Sequence, residues 1–327
     1  MQNKYYAAKI NSEHINDSSS GGVFYSLASK VIEEGGVVFG AAFDDKFKVV
    51  HKMIEGIDSL KDLQGSKYVQ SDLGNSFKEV LQFLNQGRNV LFSGTPCQIA
   101  GLNSFLNITG HKDKSKLLTV EIVCHGVPSG GIFRDYITNL QVEEKLKKFS
   151  FRSKDKNKNF VIGLEFENGK KIYKNALLDP FYASFLADLT LRQTCYKCHF
   201  CGPERIADIT LGDFWGIEKV KTSLSNPQGA SLLVCNSARG YTYFRKIENC
   251  MNYSEVTFDD ATKLQPQLRN VNRFYKMPTK RNEIFESWKN RPTNEFLDKL
   301  KKESINKKKV LFNCIPAPLV KIIKRFI

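Results

Sequence analysis

The sequence predicts an α/β fold: a mixed sheet with an antiparallel insertion and a helical C-terminal extension. Three observations predict it. Two short apolar runs, 89–92 and 117–123, each lead into a cysteine-bearing turn and then into apolar residues at helical spacing. Within 147–175 the dipeptide Asn168-Gly169, a hairpin signal, adjoins alternating or continuous apolar runs. From about Asp259, prolines punctuate polar, basic segments with helical patterns over 283–289 and 293–302. The expected organisation is a main domain over 1–255, containing the insertion at 147–175, and a basic, mostly helical extension over 256–327.

In chain order, Ser18-Ser19-Ser20-Gly21-Gly22 precedes Val23, Phe24, Leu27, Ala28, Val31 and Ile32 at helical spacing. Serine and glycine at a helix start either cap it or offer hydroxyls and backbone N–H groups to an anion such as phosphate. Gly35-Gly36 ends this helix, and 37–43 and 47–53 read as strands turning at Asp44-Asp45. Gly65-Ser66-Lys67-Tyr68-Val69-Gln70 reads as a connecting loop or a nucleotide contact; it lacks the second glycine of a Walker-type phosphate loop. A helix on Phe77, Val80, Leu81 and Leu84 ends at Gly87. In Thr95-Pro96-Cys97-Gln98, threonine suits an N-cap and proline the first helical position. Cys97 then falls where the helix dipole favours a thiolate. Cys124-His125-Gly126-Val127-Pro128-Ser129 ends the next strand, with Ser129 suited to cap a helix carrying Ile132, Phe133, Tyr136 and Ile137. Both cysteines lie where ligands gather in open α/β sheets, at the carboxyl ends of strands. The lysine-rich loop 154–159 of the insertion reads as solvated. Residues 179–191 and 240–247 read as helices and 231–235 as a strand.

Composition restricts the function class. The 327 residues are 41% hydrophobic and 25% charged, ordinary for a globular chain, with a net charge of +15 concentrated in 145–171 and 299–309. Basic surfaces attract acidic proteins and anionic cofactors or lipids, and the apolar, basic end 310–327 suits weak peripheral membrane contact. No zinc-finger, helix-turn-helix or RNA-binding aromatic pattern occurs, so no specific nucleic-acid partner is expected. The start of the sequence lacks the apolar core of a secretory signal, and no run of about 18 apolar residues exists. A cytoplasmic location is the expectation, and there eight cysteines stay reduced or bind metal.

Cys195, Cys198 and Cys201 stand at three-residue intervals, a spacing used around iron–sulfur clusters, with Cys97 or Cys124 available as a further thiolate. Tetrahedral zinc is the competing reading, although zinc sites more often use paired Cys-x-x-Cys units. Cys235, Cys250 and Cys314 lie in no motif and read as incidental thiols. The absence of G-x-G-x-x-G leaves a nicotinamide site of that type without support.

Taken in order, the segments that begin at Ser18, Gly65, Gly94, Cys124, Cys195 and Asp208 resemble the coenzyme F420 hydrogenase/dehydrogenase beta subunit family, over about Tyr6 to Gly240. The resemblance implies an α/β flavoprotein oxidoreductase with FAD and a 4Fe-4S cluster. Electrons would pass from a carrier such as ferredoxin through the cluster to FAD, and on to a small-molecule substrate by hydride transfer. Coenzyme F420 is implied only in a host that makes it, and similar bacterial proteins accompany polysaccharide biosynthesis. A non-catalytic electron-transfer or scaffold subunit is the alternative. Carried onto this sequence, the family pattern makes Cys97, Cys124, Cys195 and Cys198 the metal ligands, with Cys201 an alternate. Ser19, Ser20, Gly21, Gly22, Lys67, Tyr68, Thr95, Arg205 and Asp208 are the candidate cofactor contacts, and no catalytic residue is assigned.

Overall fold

The computed structural model describes residues 2–154, 160–220, 224, 229–270 and 276–305. The chain divides into two compact units, one of Met1–Val127, Lys154–Lys158 and Gln193–Tyr275, the other of Pro128–Ser153, Asn159–Arg192 and Lys276–Ile327.

Among the described residues the first unit is built on eight strands: β1 (Lys4–Ile10), β2 (Val37–Phe43), β3 (Val49–Ile54), β4 (Val90–Gly94), β5 (Leu117–Ile122), β9 (Ile209–Asp213), β10 (Ser231–Cys235) and β11 (Met251–Val256). The second contains β6 (Leu146–Ser150), β7 (Val161–Phe166) and β8 (Lys171–Asn175). The large sheet runs β11-β1-β10-β9-β5-β4-β2-β3. Its centre, β9-β5-β4-β2, is parallel, and the flanking pairs are antiparallel. Parallel strands covered on both faces carry continuous apolar runs. Here one face packs Leu27 and Val31 of the helix Val23–Glu33 and Phe244 and Ile247 of the helix Ala238–Ile247 against Val38, Leu91, Leu118 and Val120. The other packs Val80 and Leu84 of Ser76–Asn85 and Ile99, Leu102 and Leu106 of Pro96–Ile108 against Phe39, Val90, Phe92 and Leu117.

Of the two roles expected for the Ser18–Gly22 segment, side-chain capping of the helix is not made. Gly22, at φ 83°, precedes the helix with no side-chain cap. The serines dock the segment elsewhere: Ser20 Oγ donates to Ala230 O at 2.8 Å, and Ser231 Oγ accepts Gly21 N–H at 2.9 Å. A Cβ on Gly21 would lie 2.2 Å from Ala8 O, so only glycine permits this approach. Lys154 is also a correction. It belongs to the first unit, and its ammonium, expected in solvent, donates to Ile15 O at 2.8 Å and Ser20 O at 2.7 Å. The rest of that loop, 155–159, and the basic end 310–327 lie outside the described residues.

In the second unit the antiparallel sheet β6-β7-β8 turns at Asn168-Gly169, with Gly169 at φ 84° and Asn168 Oδ1 accepting Lys170 N–H at 2.9 Å. Ser129 caps the helix Gly130–Leu140 as expected. The helix expected over 179–191 is shorter, Pro180–Leu186. Asp179 caps it, and Asp188 lies beyond it in left-handed backbone at φ 59°. Arg281–Asn290 and Thr293–Ser304 supply the C-terminal helices. No helix among the described residues is long and apolar enough to cross a membrane.

Candidate functional site

Adjacent parallel strands bring two distant turns together. In the ladder β4–β5, Gly94 stands opposite Glu121, so the chain leaves both strands side by side. From β4 it enters the helix Pro96–Ile108 through Thr95, whose N–H donates to Gln98 Oε1 at 2.9 Å and whose Oγ1 lies 3.1 Å from Cys97 Sγ. From β5 it passes through Cys124 to Val127, whose N–H donates to Cys195 Sγ at 3.5 Å. That last contact brings in a third segment, the loop bearing Cys195, Cys198 and Cys201.

The three segments line a cavity of about 50 Å³ that carries all five thiols, Cys97, Cys124, Cys195, Cys198 and Cys201, together with Thr95 and Arg205. Thiolates are the ligands of iron–sulfur clusters and of four-cysteine zinc alike, so the donor chemistry fits either group. The thiols are spread along the wall: among the described residues, no three His, Cys, Asp or Glu side chains close into a metal-ligating group. Burial pushes the Cys124 thiol up to about 12, and the neighbouring Cys97, Cys195 and Cys198 add to the rise. Cys198 and Cys201 share a hydrogen bond; Cys198, as acceptor, is held below the ordinary thiol range and Cys201, as donor, above it. So many thiols in one half-buried space cannot all ionise without a compensating cation, which is the condition a bound metal satisfies.

A buried ion pair anchors the loop. Arg205 Nε donates to Glu121 Oε1, and its Nη1 donates to Phe200 O at 2.9 Å and Gly202 O at 3.3 Å. Thr210 Oγ1 adds a 2.8 Å bond to the same Glu121 oxygen. Burial pushes the Glu121 carboxyl up, while Arg205 and Thr210 pull it down. A second chain of bonds fixes the turn before Cys97. Gln98 Nε2 donates to Ser71 Oγ at 2.9 Å, and Ser71 Oγ lies 2.7 Å from His51 Nδ1. His51 Nε2 lies 2.8 Å from Ser93 O. A carbonyl only accepts, so His51 is protonated on Nε2 and Ser71 donates to Nδ1. Burial holds His51 down at about 4.

The remaining candidates do not line the cavity. Asp208 spends its carboxylate on Thr119 N–H and Oγ1, both 2.9 Å, and on Ser237 Oγ at 2.6 Å, tying β5 to the cap of the helix Ala238–Ile247. Ser19 Oγ accepts Ser66 N–H at 2.6 Å, which joins the Ser18–Gly22 and Gly65–Gln70 loops. Lys67 folds back on its own loop, donating to Asp62 O, Gln64 O and Gly65 O. Burial pulls its ammonium down to about 7, against the opposing pull of Asp62. Tyr68 is half-buried beside it. Sequence reasoning missed four residues of or behind the wall: Gln70, Gln267, His51 and Glu121. Glu121 had a signal as a lone acid inside the apolar run Leu-Leu-Thr-Val-Glu-Ile-Val, and Gln70 as the end of the Gly65 segment. Gln267 comes from the motif-free stretch after Asp259, whose Gln267 O accepts Gly202 N–H at 2.9 Å.

Residues 87–260, more than half of the chain, match the family model described as the C terminus of the coenzyme F420 hydrogenase/dehydrogenase beta subunit. The chain belongs to this family. The segment matched to the beta-subunit family holds all five cavity cysteines, Thr95, Arg205 and Asp208, whereas the Ser18–Gly22 loop, Lys67 and Tyr68 precede it. Among solved structures, a chain of the xenon-derivatised F420-reducing NiFe hydrogenase complex from Methanosarcina barkeri shares the fold. Its TM-score is 0.54 at 15% identity, covering 94% of this chain and 90% of that one. No curated protein sequence matches this beta-subunit family member.

Proposed function

We propose that the protein is an iron–sulfur flavoprotein oxidoreductase. It would take single electrons from a reduced carrier such as ferredoxin and deliver them in pairs, through FAD, to a small-molecule substrate. The observation that carries this reading is the meeting of five thiols from three chain segments at the carboxyl ends of β4 and β5. Family membership supports the redox class, and the Methanosarcina barkeri chain belongs to a hydrogenase complex, which favours electron exchange with a partner.

In this reading Cys97, Cys124, Cys195 and Cys198 hold a 4Fe-4S cluster, with Cys201 as a fifth thiol at the same wall. The cluster supplies one-electron steps and the flavin combines them into hydride transfer. The chain's own part is placement. The helix start at Cys97 offers backbone N–H dipoles to the anionic site, and the half-buried wall limits water. The joined Ser18–Gly22 and Gly65–Gln70 loops, with the Lys154 charge beside them, are the proposed contact for the FAD phosphates. Coenzyme F420 as hydride partner in a host that makes it, and a polysaccharide precursor as substrate, belong to the same proposal.

Anaerobic purification followed by visible spectroscopy and metal analysis tests it. Broad absorption near the iron–sulfur and flavin bands with iron and acid-labile sulfide supports the reading. A colourless chain containing zinc and no flavin refutes it in favour of a structural zinc site.

A further inference from the structure

At the cavity wall lies a deeply buried ion pair, Arg205 with Glu121. The Glu121 side chain is 0% exposed and that of Arg205 is 4%. Glu121 Oε2 is buried without a hydrogen-bond partner. Replacing such a pair by apolar residues is often neutral or stabilising, so stability alone does not account for it. Its location does. Glu121 lies on β5 just before Cys124. Arg205 lines the cavity and grips the carbonyls of Phe200, between Cys198 and Cys201, and of Gly202, directly after Cys201. One guanidinium therefore touches both the sheet and the cysteine loop, and its charge faces the thiols, favouring the anionic form of both Cys198 and Cys201.

We propose that Glu121 is a positioning residue: through Arg205 it holds the Cys198–Cys201 loop in place and offsets the positive charge that Arg205 presents to the cavity, thereby setting how readily the group bound there accepts an electron. The charge half rests on the proposed iron–sulfur reading; the holding half does not. An electron added to a thiolate-held group increases negative charge in a poorly solvated space. Arg205 favours that addition and Glu121 opposes it. Removing the negative charge while keeping the shape leaves Arg205 unopposed and makes reduction easier.

The experiment uses the full chain with Glu121→Gln, Glu121→Ala and the double variant Glu121→Gln with Arg205→Met, at about pH 8, well above the ordinary carboxylate range. Glutamine can still accept from Arg205 and Thr210, so Glu121→Gln should keep its iron and its loop protection. Its midpoint potential, from dithionite titration followed by electron paramagnetic resonance, should rise by about 59 mV, a tenfold change for a one-electron couple. The double variant, with charge balance restored, should fall back toward wild type, a reversal that a purely structural role does not produce. In the metal-free chain, Glu121→Ala should raise hydrogen exchange over 196–206 about tenfold while β1 and β10 stay protected.

An unchanged potential in iron-replete Glu121→Gln overturns the charge role. So does iron lost from that variant with its loop still protected. Unchanged exchange over 196–206 in Glu121→Ala overturns the holding role. Should wild type contain no iron–sulfur cluster, the proposed function and the charge role fall together, and the exchange measurement still decides the holding role.

Discussion

Lowering the pH should loosen the first unit through one residue, His51. Its ring is enclosed between Ser71 Oγ and Ser93 O and stacks on Phe92 at 4.9 Å between ring centroids. Burial lowers its pKa from 6.5 to about 4. Protonation would put two N–H donors on the ring, and Nδ1 could no longer accept from Ser71. The unfolded chain takes up this proton below about pH 6.5, while the folded chain resists it until about pH 4. The contribution is therefore fully present above the unfolded value and is lost as pH falls through that window. Proton linkage gives a loss of about 2 kcal/mol between about pH 7 and about pH 5. Urea unfolding at both pH values, read by pulsed hydrogen exchange in β2, β3 and β4, isolates this unit. Other groups titrate as well, so the quantity to compare is the pH dependence of wild type and of His51→Gln. The variant should be less stable at about pH 7, having lost part of the relay, and its pH dependence should be shallower by about 2 kcal/mol. Equal pH dependence in the two proteins would refute the reasoning, because it would mean that the folded state accepts the proton as easily as the unfolded one.

Two further predictions test the site and the loop beside it. Serine substitutions at Cys97, Cys124, Cys195 and Cys198 should each abolish most bound iron, whereas Cys201→Ser should retain it, as measured by iron and sulfide content after anaerobic purification; loss in Cys201→Ser with Cys97→Ser tolerated would reassign the ligands. Gly21→Ala should destabilise the first unit by about 3 kcal/mol, read by urea unfolding, because its Cβ would meet Ala8 O at 2.2 Å and Ser231 N at 2.6 Å, both backbone atoms that cannot swing aside.

The sequence by itself determined the local features whose causes are local. β2 and β10 follow from uninterrupted apolar runs, the helix start at Cys97 from Thr95-Pro96, and the β7–β8 turn from Asn168-Gly169. The motif order also carried the family resemblance, since spacing along the chain needs no fold to be read. Tertiary structure decided the rest. β1, β9 and β11 escaped sequence reading because their pattern is mixed: β9 ends in Gly212 and Asp213, and β11 sets exposed Asn252 and Tyr253 next to each other before half-buried Ser254. Such segments become strands through the partners they meet. The serines after Asp17 looked like a cap, yet their hydroxyls reach Ser66 and Ala230, far away in sequence. Lys154 looked solvated and is held by carbonyls of the first unit. Asp208 and Arg205, expected as cofactor contacts, also bond Thr119, Ser237 and Glu121 within the protein, and Arg205 lines the cavity as well. In each case the missing information is the partner. A polar side chain near a motif has the same appearance in sequence whether it faces a ligand or a neighbouring strand. For the cysteines the sequence supplied the thiols and their spacing, but only the parallel pairing of β4 and β5 brings Cys97 and Cys124 to one wall with Cys195, Cys198 and Cys201.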